Sequence, residues 1–219
     1  MTDTKIKICC MGSVDEARMA IELGANAIGL VSRMPSGPGP IEEELIAEIV
    51  AAVGDSVETF LLTCETSADA IIAQQRRTGA STLQLVDAVD PGAHDAIRSA
   101  LEGVRIVQVI HVTGDNSIGD AVEAAKTADA LLLDSGNPAL AVKELGGTGR
   151  RHDWKISRAI VVASPVPVYL AGGLNTSNLR EAIETVRPYG VDVCNGVRSE
   201  GKLDRAKAAA FFAAVRSAE

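Results

Sequence analysis

Short apolar runs alternate with amphipathic segments along the whole chain, and this alternation limits the possible folds more than any other feature. The apolar runs, typical of strands, span residues 6–10, 27–31, 57–62, 82–86, 104–112, 128–134, 166–171 and 191–194. The segments with apolar residues three and four apart, typical of helices, span residues 14–23, 42–53, 67–78, 92–101, 118–126, 153–162, 177–186 and 204–217. Eight such units in 219 residues predict a single (β/α)8 TIM barrel domain of class α/β, residues 1–219. A doubly wound open sheet has the same alternation.

Composition and charge exclude several classes of protein. Aromatic residues are only 3% of the chain, so Val, Ile, Leu and Ala must fill most of the core, as in parallel sheets covered by helices. The formal net charge of −8 argues against nucleic-acid binding but not against a small anion held by backbone N–H groups. No apolar run reaches about 18 residues and residues 1–7 are polar, which argues against a membrane span or a signal peptide. Four scattered cysteines complete the expectation of a cytoplasmic protein with free thiols.

Three glycine-containing clusters lie where a barrel would place its binding loops, after successive strands. They are Gly147-Thr148-Gly149 in the long segment after the sixth predicted strand, Gly172-Gly173 after the seventh and Asn195-Gly196 after the eighth. Glycine lets the backbone approach an anion, and successive N–H groups form a concave nest of donors. Any one cluster alone is typical of an ordinary turn. Together they predict a phosphate site for a small phosphorylated ligand at the carboxyl ends of the strands.

Alternation in the first strand predicts that Lys7 and Cys9 point into the barrel while Cys10 faces the helices with the apolar residues. Asp134 ends the sixth strand, so a thiol and a carboxylate would face one pocket and could divide base and acid roles. Two plainer interpretations remain open, a packed and inert thiol and a turn-forming aspartate. Lys7 and Asp192, on neighbouring strands, are expected to form a buried ion pair.

Metal and cofactor chemistry has little support in the sequence. Cys9, Cys64, Cys194 and His111 all lie near strand ends, but no CxxC or HxxxH spacing is present. The chain also lacks Walker-type and GxSxG motifs, and no GxGxxG follows the first strand. We therefore expect neither a metal nor a cofactor. The two other histidines, His94 and His152, are expected to be exposed.

Several segments, in order along nearly the whole chain, resemble one known family. They are Lys7-Ile8-Cys9, Gly24-Ala25-Asn26-Ala27-Ile28-Gly29-Leu30-Val31, Leu132-Leu133-Asp134-Ser135, Gly146-Gly147-Thr148-Gly149 with Asp153-Trp154, Leu170-Ala171-Gly172-Gly173-Leu174, and Arg187-Pro188-Tyr189-Gly190-Val191-Asp192-Val193. This pattern is similar to that of the phosphoribosylanthranilate isomerases of tryptophan biosynthesis. The portion from the sixth to the eighth strand is the most specific part of the resemblance.

The resemblance implies a barrel that catalyses an Amadori rearrangement without a cofactor. By the family's pattern, Cys9 would be the general base and Asp134 the general acid. The phosphate site would comprise Gly172, Gly173, Asn195 and Gly196, with residues 147–149 closing over the substrate. The oligomeric state is not indicated by the sequence.

The chain departs from the family pattern at the end of the site that would meet the aromatic carboxylate. Pro38 stands where the family's second loop carries an arginine, and Val86 and Asp87 replace the His-Gly of its fourth-strand motif. Two further differences are Cys10 for glycine and Cys194 for serine.

Loss of that arginine removes a bidentate, charge-assisted contact. Arg33 is the first candidate to replace it, with Arg150 and Arg151 as alternatives. Besides the isomerase, two functions stay open at this point: a related isomerase acting on a different sugar phosphate, and a non-catalytic barrel that binds sugar phosphates.

Overall fold

The strands form a closed barrel in the computed structural model, which describes residues 4–218; residues 1–3, part of the predicted polar start, and residue 219 lie outside the described range. The barrel strands are β1 (Lys5–Ile8), β2 (Ala27–Val31), β3 (Glu58–Thr63), β4 (Thr82–Leu85), β5 (Arg105–His111), β6 (Ala130–Asp134), β7 (Val168–Leu170) and β8 (Gly190–Val193). They are parallel and pair in chain order, and β1 closes the barrel against β8 with Lys7 opposite Asp192. This closure confirms the predicted barrel and shows that the open-sheet alternative is wrong.

Helices follow the strands around the outside of the barrel. They are α1 (Val14–Leu23), α2 (Glu43–Val53), α3 (Ala68–Thr78), α4 (Ala93–Ala100), α5 (Asn116–Ala124), α6 (Trp154–Ala163), α7 (Leu179–Val186) and α8 (Arg205–Ser217). Side chains start several of them: Ser13 Oγ accepts the Glu16 N–H at 3.2 Å, and the Asp204 carboxylate accepts two N–H groups of α8. Gly24 ends α1 at a φ of 100°, a left-handed conformation that suits glycine.

The structure differs from the prediction in several element bounds and in one additional hairpin. β1 ends at Ile8 because Cys10 has a φ of 65°, which is incompatible with a continuing strand. α5 begins at Asn116, two residues before the predicted start. A hairpin of β9 (Arg198–Ser199) and β10 (Lys202–Leu203) precedes α8. Its strands are too short to produce a recognisable alternation, so the sequence pattern could not predict them.

Two apolar layers lie on either side of the strands. Ile6 and Ile8 belong to the layer between strands and helices, whereas Lys7 and Cys9 face the interior, as alternation predicted. The interior also holds Phe60, whose ring lies below the Lys7 ammonium at 5.2 Å. Within residues 4–218, no helix is long and apolar enough to cross a membrane.

His94 is buried, so its predicted exposure is wrong. It lies on the inner face of α4, where Nδ1 is 2.6 Å from Thr127 Oγ1 and Nε2 is 3.3 Å from Gln108 Oε1. Burial lowers the pKa of His94, which keeps the imidazole neutral near pH 7. His152 is half-buried rather than exposed, with both ring nitrogens enclosed.

The segment between β6 and α6, residues 135–153, folds across the carboxyl end of the barrel. Ser36, in the segment that follows β2, donates a hydrogen bond to the Lys143 carbonyl at 2.7 Å. A side chain at Gly147 would collide with Pro38, because a Cβ there would lie 2.4 Å from the proline ring. The β2 and β6 loops therefore touch directly above the barrel.

Candidate active site

One pocket opens at the carboxyl ends of the strands, beneath the contact between the β2 and β6 loops. All nine predicted catalytic and phosphate-site residues line it: Cys9, Asp134, Gly147, Thr148, Gly149, Gly172, Gly173, Asn195 and Gly196. Its free volume is about 90 Å³. The barrel closure brings together residues that are as far apart in sequence as 9 and 196.

Cys9 lies directly beyond the end of β1 and is held from several sides. Its backbone N–H donates to the Val193 carbonyl at 2.8 Å. Its thiol packs on Gly29 of β2, where a Cβ would lie 2.7 Å from Sγ. The Arg198 guanidinium donates to the carbonyl oxygens of both Cys9 and Cys10. The base candidate therefore has a position defined by β1, β2, β8 and the segment after β8.

Cys10 does not face the helices, contrary to the prediction. Because its φ of 65° reverses the strand direction, its side chain turns towards the pocket. Its Sγ lies 2.7 Å from that of Cys194, which follows β8. Alternation holds only while the backbone stays extended, and here it stops one residue after the inward-facing Cys9.

At the floor of the pocket, whose lining includes Asp192, Lys7 and Asp192 form the predicted ion pair, with 3.0 Å between Nζ and Oδ1. The Lys7 side chain is fully buried. Burial alone would lower the pKa of Lys7, but Asp192 and the Cys9 and Cys10 thiols raise it above its ordinary value. A protonated ammonium group therefore lies beneath the thiols.

Asp134 ends β6, which is separated from β1 by β7 and β8 around the barrel. The Ser135 N–H donates to its Oδ1 at 2.7 Å, and the Ser135 hydroxyl lies 2.7 Å from Thr148 Oγ1. Gly146 lies against the carboxylate, since a Cβ there would be 2.6 Å from Oδ2. The β6 loop thus packs directly on the acid candidate and covers it.

The glycines after β7 have both a packing role and free donors. A Cβ at Gly173 would lie 2.8 Å from the Gly149 carbonyl, so the β6 and β7 loops can meet only without a side chain there. Among residues 4–218, the backbone N–H groups of Gly172 and Gly173 donate to no protein acceptor. Both have positive φ, at 83° and 65°. Unpaired successive N–H groups in this conformation are typical of an anion-binding nest.

None of the three arginines considered for the carboxylate lines the pocket. Arg33 is exposed, Arg150 pairs with Glu144, and Arg151 lies 3.7 Å above the Trp154 ring. The proposed Arg33 contact with a carboxylate stays a prediction.

Of the three residues at which the chain departs from the resembled family's second-loop and fourth-strand pattern, Pro38 and Val86 line the pocket, whereas Asp87 lies just outside it. Asp87 is neutralised by Lys143 of the β6 loop, with 2.5 Å between Nζ and Oδ2. The sequence reasoning missed Lys143, and the only available signal was the unusual length of that loop.

Arg198 was also missed, because nothing in the local sequence distinguishes it from a surface arginine. Its side chain is only 8% exposed and pairs with Glu16 at 3.2 Å. Among the described residues, no group of three or more His, Cys, Asp and Glu side chains is arranged to hold a metal ion. Cys64 and His111 instead contact backbone carbonyls, those of Arg33 and Val86.

Comparison with known proteins places this chain in a family. Residues 6–214 match the family model for N-(5'-phosphoribosyl)anthranilate (PRA) isomerase. The chain is 36% identical over 219 residues to an N-(5'-phosphoribosyl)anthranilate isomerase of Haloferax volcanii, covering 98% of this chain and 94% of that protein. This relationship extends over the whole barrel.

Solved structures agree in fold. A phosphoribosyl anthranilate isomerase of Thermus thermophilus superposes with a TM-score of 0.83 at 24% identity, covering 99% of this chain and 100% of that one. That of Thermococcus kodakaraensis gives 0.80 at 27% identity, covering 97% and 99%. Because the family model matches nearly the full length of this chain, the chain belongs to the N-(5'-phosphoribosyl)anthranilate isomerase family.

Proposed function

We propose that this protein converts N-(5'-phosphoribosyl)anthranilate into its 1-deoxyribulose 5-phosphate isomer, an Amadori rearrangement of tryptophan biosynthesis. The observation that carries the proposal is the placement of Cys9 and Asp134 in the lining of one pocket that also contains the glycine loops. Family membership supplies the reaction, and this geometry supplies a base, an acid and an anion site for it.

In the proposed first step, Asp134 donates a proton to the ribose ring oxygen. The bond from C1' to that oxygen breaks, and the nitrogen lone pair forms the C=N bond of a protonated Schiff base. The Ser135 N–H and the β6 loop hold the Asp134 carboxyl group in place during this transfer. A general acid positioned in this way typically contributes a factor of about 10² to 10⁴ in rate.

In the second step, Cys9 as a thiolate removes the proton from C2'. The electrons of that C–H bond neutralise the iminium nitrogen and give an enolamine, which becomes the ketone product when C1' gains a proton and the C2' hydroxyl loses one. The protonated Lys7 ammonium group lies beneath this thiol. No electron leaves or enters the substrate overall, so the chemistry needs no redox cofactor.

The substrate's phosphate is proposed to bind at Gly172, Gly173, Asn195 and Gly196. The free N–H groups of the first two support this assignment, because backbone donors can hold an anion on a chain of net charge −8. The loop at residues 147–149 is proposed to cover the bound sugar, since Gly149 already contacts the β7 loop.

The anthranilate ring is proposed to lie on the apolar wall opposite the phosphate loops. Met34, Leu62, Val86 and Leu145 line that wall and offer a surface for an aromatic ring. With a free volume of about 90 Å³, the pocket is smaller than the roughly 150 Å³ that accepts benzene in a protein core. We propose that the β6 loop moves away from the β2 loop as the substrate binds, which would enlarge this pocket.

The test is a fluorescence assay with phosphoribosylanthranilate generated in the reaction mixture. Wild type should remove the substrate fluorescence, and Asp134→Asn and Cys9→Ser should each reduce kcat by about 10² or more. Asp120→Asn, the same change at an exposed position on α5, should retain wild-type turnover.

Failure of folded wild type to turn over the substrate at high concentration would contradict the proposal. In that case, turnover of another sugar phosphate would identify the related isomerase, for which Pro38, Val86 and Asp87 are the motivation. Binding of inorganic phosphate without any turnover would instead favour the non-catalytic barrel.

A further inference from the structure

A pair of thiols in the pocket wall is not used by the proposed reaction. Cys10 and Cys194 are 184 residues apart in sequence, yet their Sγ atoms are 2.7 Å apart beside Cys9. A disulfide bond is about 2.05 Å long, so an approach of roughly 0.7 Å would bring the two sulfurs to bonding distance. Both residues line the pocket, which gives a small reagent a route to them.

The backbone holds the two thiols together from both sides. The left-handed conformation of Cys10 turns its side chain towards the end of β8. Gly39 leaves room for the Cys10 side chain in this position, since a Cβ at Gly39 would lie 2.6 Å from the Cys10 Cβ. Cys10 and Cys194 are also the two positions at which the resembled family pattern has glycine and serine. The pair therefore depends on both departures occurring in one chain.

We propose that Cys10 and Cys194 are a redox-active pair that closes to a disulfide when the protein meets a peroxide. The formation of the bond is independent of the proposed isomerase function. Its expected consequence, a fall in turnover, rests on that function because the bond would join the residue after the proposed base to the residue before Asn195.

The chemistry follows from which thiol ionises first. The hydrogen bond with Cys10 lowers the pKa of Cys194, and the nearby Arg198 guanidinium lowers it further against the effect of burial. The same contact raises the pKa of Cys10, with Cys9 and burial adding to it. Cys194 is therefore the thiol that ionises first, and Cys10 is the neighbouring thiol that can resolve it.

In the first step the Cys194 thiolate attacks one oxygen of hydrogen peroxide. The O–O bond breaks, leaving a sulfenic acid on Cys194 and releasing hydroxide. Cys10 then attacks the sulfenic sulfur and forms the S–S bond, and the expelled hydroxide leaves as water with the Cys10 proton. Two thiols and one peroxide thus give one disulfide and two waters, and a dithiol reductant such as dithiothreitol reverses the change.

The experiment treats reduced wild type with one equivalent of hydrogen peroxide, alkylates the remaining thiols and maps the peptides by mass spectrometry. Before alkylation the expected product is 2 Da lighter, and fragment ions of the mapped peptides should show Cys10 linked to Cys194, with Cys9 and Cys64 alkylated. Turnover should fall at least fivefold on oxidation and return with dithiothreitol. Cys64→Ser, a matched control at a thiol outside the pair, should form the same link, whereas Cys10→Gly and Cys194→Ser should not.

A disulfide that includes Cys9 would overturn the proposal. Oxidation of Cys9 while Cys10 and Cys194 stay free would overturn it as well. Full turnover by the protein that contains the Cys10–Cys194 disulfide would overturn the expected effect of this bond on catalysis. The mapping requires no variant and no turnover, so it stays decisive if a variant fails to fold or the isomerase proposal fails.

Discussion

Replacement of Gly29 by alanine tests whether the position of the Cys9 thiol matters. Gly29 lies in the middle of β2, and a Cβ there would be 2.7 Å from Cys9 Sγ, 3.0 Å from Lys7 Nζ and 3.1 Å from Cys9 Cα. Ordinary van der Waals contact begins at 3.4 Å. The thiol must therefore move by at least about 0.7 Å, and because the new methyl group would also press on the Cys9 backbone, rotation of the side chain alone cannot relieve the overlap.

The size of the effect follows from these distances. A displacement of about 1 Å at a reacting group typically costs on the order of 10² in rate. We expect Gly29→Ala to lower kcat roughly 10- to 100-fold. The extra methyl group in a packed interior should also reduce the free energy of unfolding by about 1–3 kcal/mol.

The assay measures kcat by substrate fluorescence and stability by urea unfolding, with Gly119→Ala as the control. Gly119 is an exposed position inside α5 where a Cβ would meet nothing within 4 Å. The control should retain wild-type kcat. Wild-type kcat in a folded Gly29→Ala protein would refute the reasoning, since the proposed base would then tolerate a displacement that the geometry requires.

Three further predictions concern stability, each measured by urea unfolding. Lys7→Met should lower the free energy of unfolding by about 3–5 kcal/mol because it leaves the buried Asp192 without its counter-charge. Adding Asp192→Leu should recover most of that loss, and a double variant as unstable as Lys7→Met would contradict this. Burial alone would raise the pKa of Glu16, but hydrogen bonds from the Leu203 and Gly12 N–H groups, together with Arg198, lower it below its ordinary value. The carboxylate therefore stabilises the fold above about pH 4.3, and this stabilisation is lost as the pH falls through the folded-state pKa. Wild type should accordingly exceed Glu16→Gln in stability at pH 7, and the gap should narrow below about pH 4; a constant gap would contradict this. Gly119→Ala should itself raise the free energy of unfolding by about 0.5–1 kcal/mol, since glycine inside a helix is unfavourable. A lower free energy of unfolding in this variant would argue against a regular helix at α5.

Much of the candidate site could be predicted from the sequence because barrels place function at strand ends. Once the strands were recognised, Cys9, Asp134 and the glycine clusters fell at those ends, and the structure brings all of them to one pocket. The Lys7–Asp192 pair followed in the same way from alternation and from the adjacency of the first and last strands. These are properties of chain direction and period, which the sequence contains directly.

Other features depend on contacts between segments far apart in sequence. No local sequence pattern predicts three of these features: the packing of Arg198 under Cys9, the neutralisation of Asp87 by Lys143 and the burial of His94. Each arises because a loop or helix face meets a partner whose position depends on the assembled barrel.

By itself, the sequence determined the barrel, the strand ends and the residues available for acid–base chemistry, because periodicity and strand order define them before any packing occurs. The tertiary structure decided the rest: Cys10 turns into the pocket beside Cys194, and none of the considered arginines reaches its lining. The physical reason is that one backbone torsion, or one loop laid across the barrel mouth, redirects a side chain by several ångströms without altering the hydrophobic pattern.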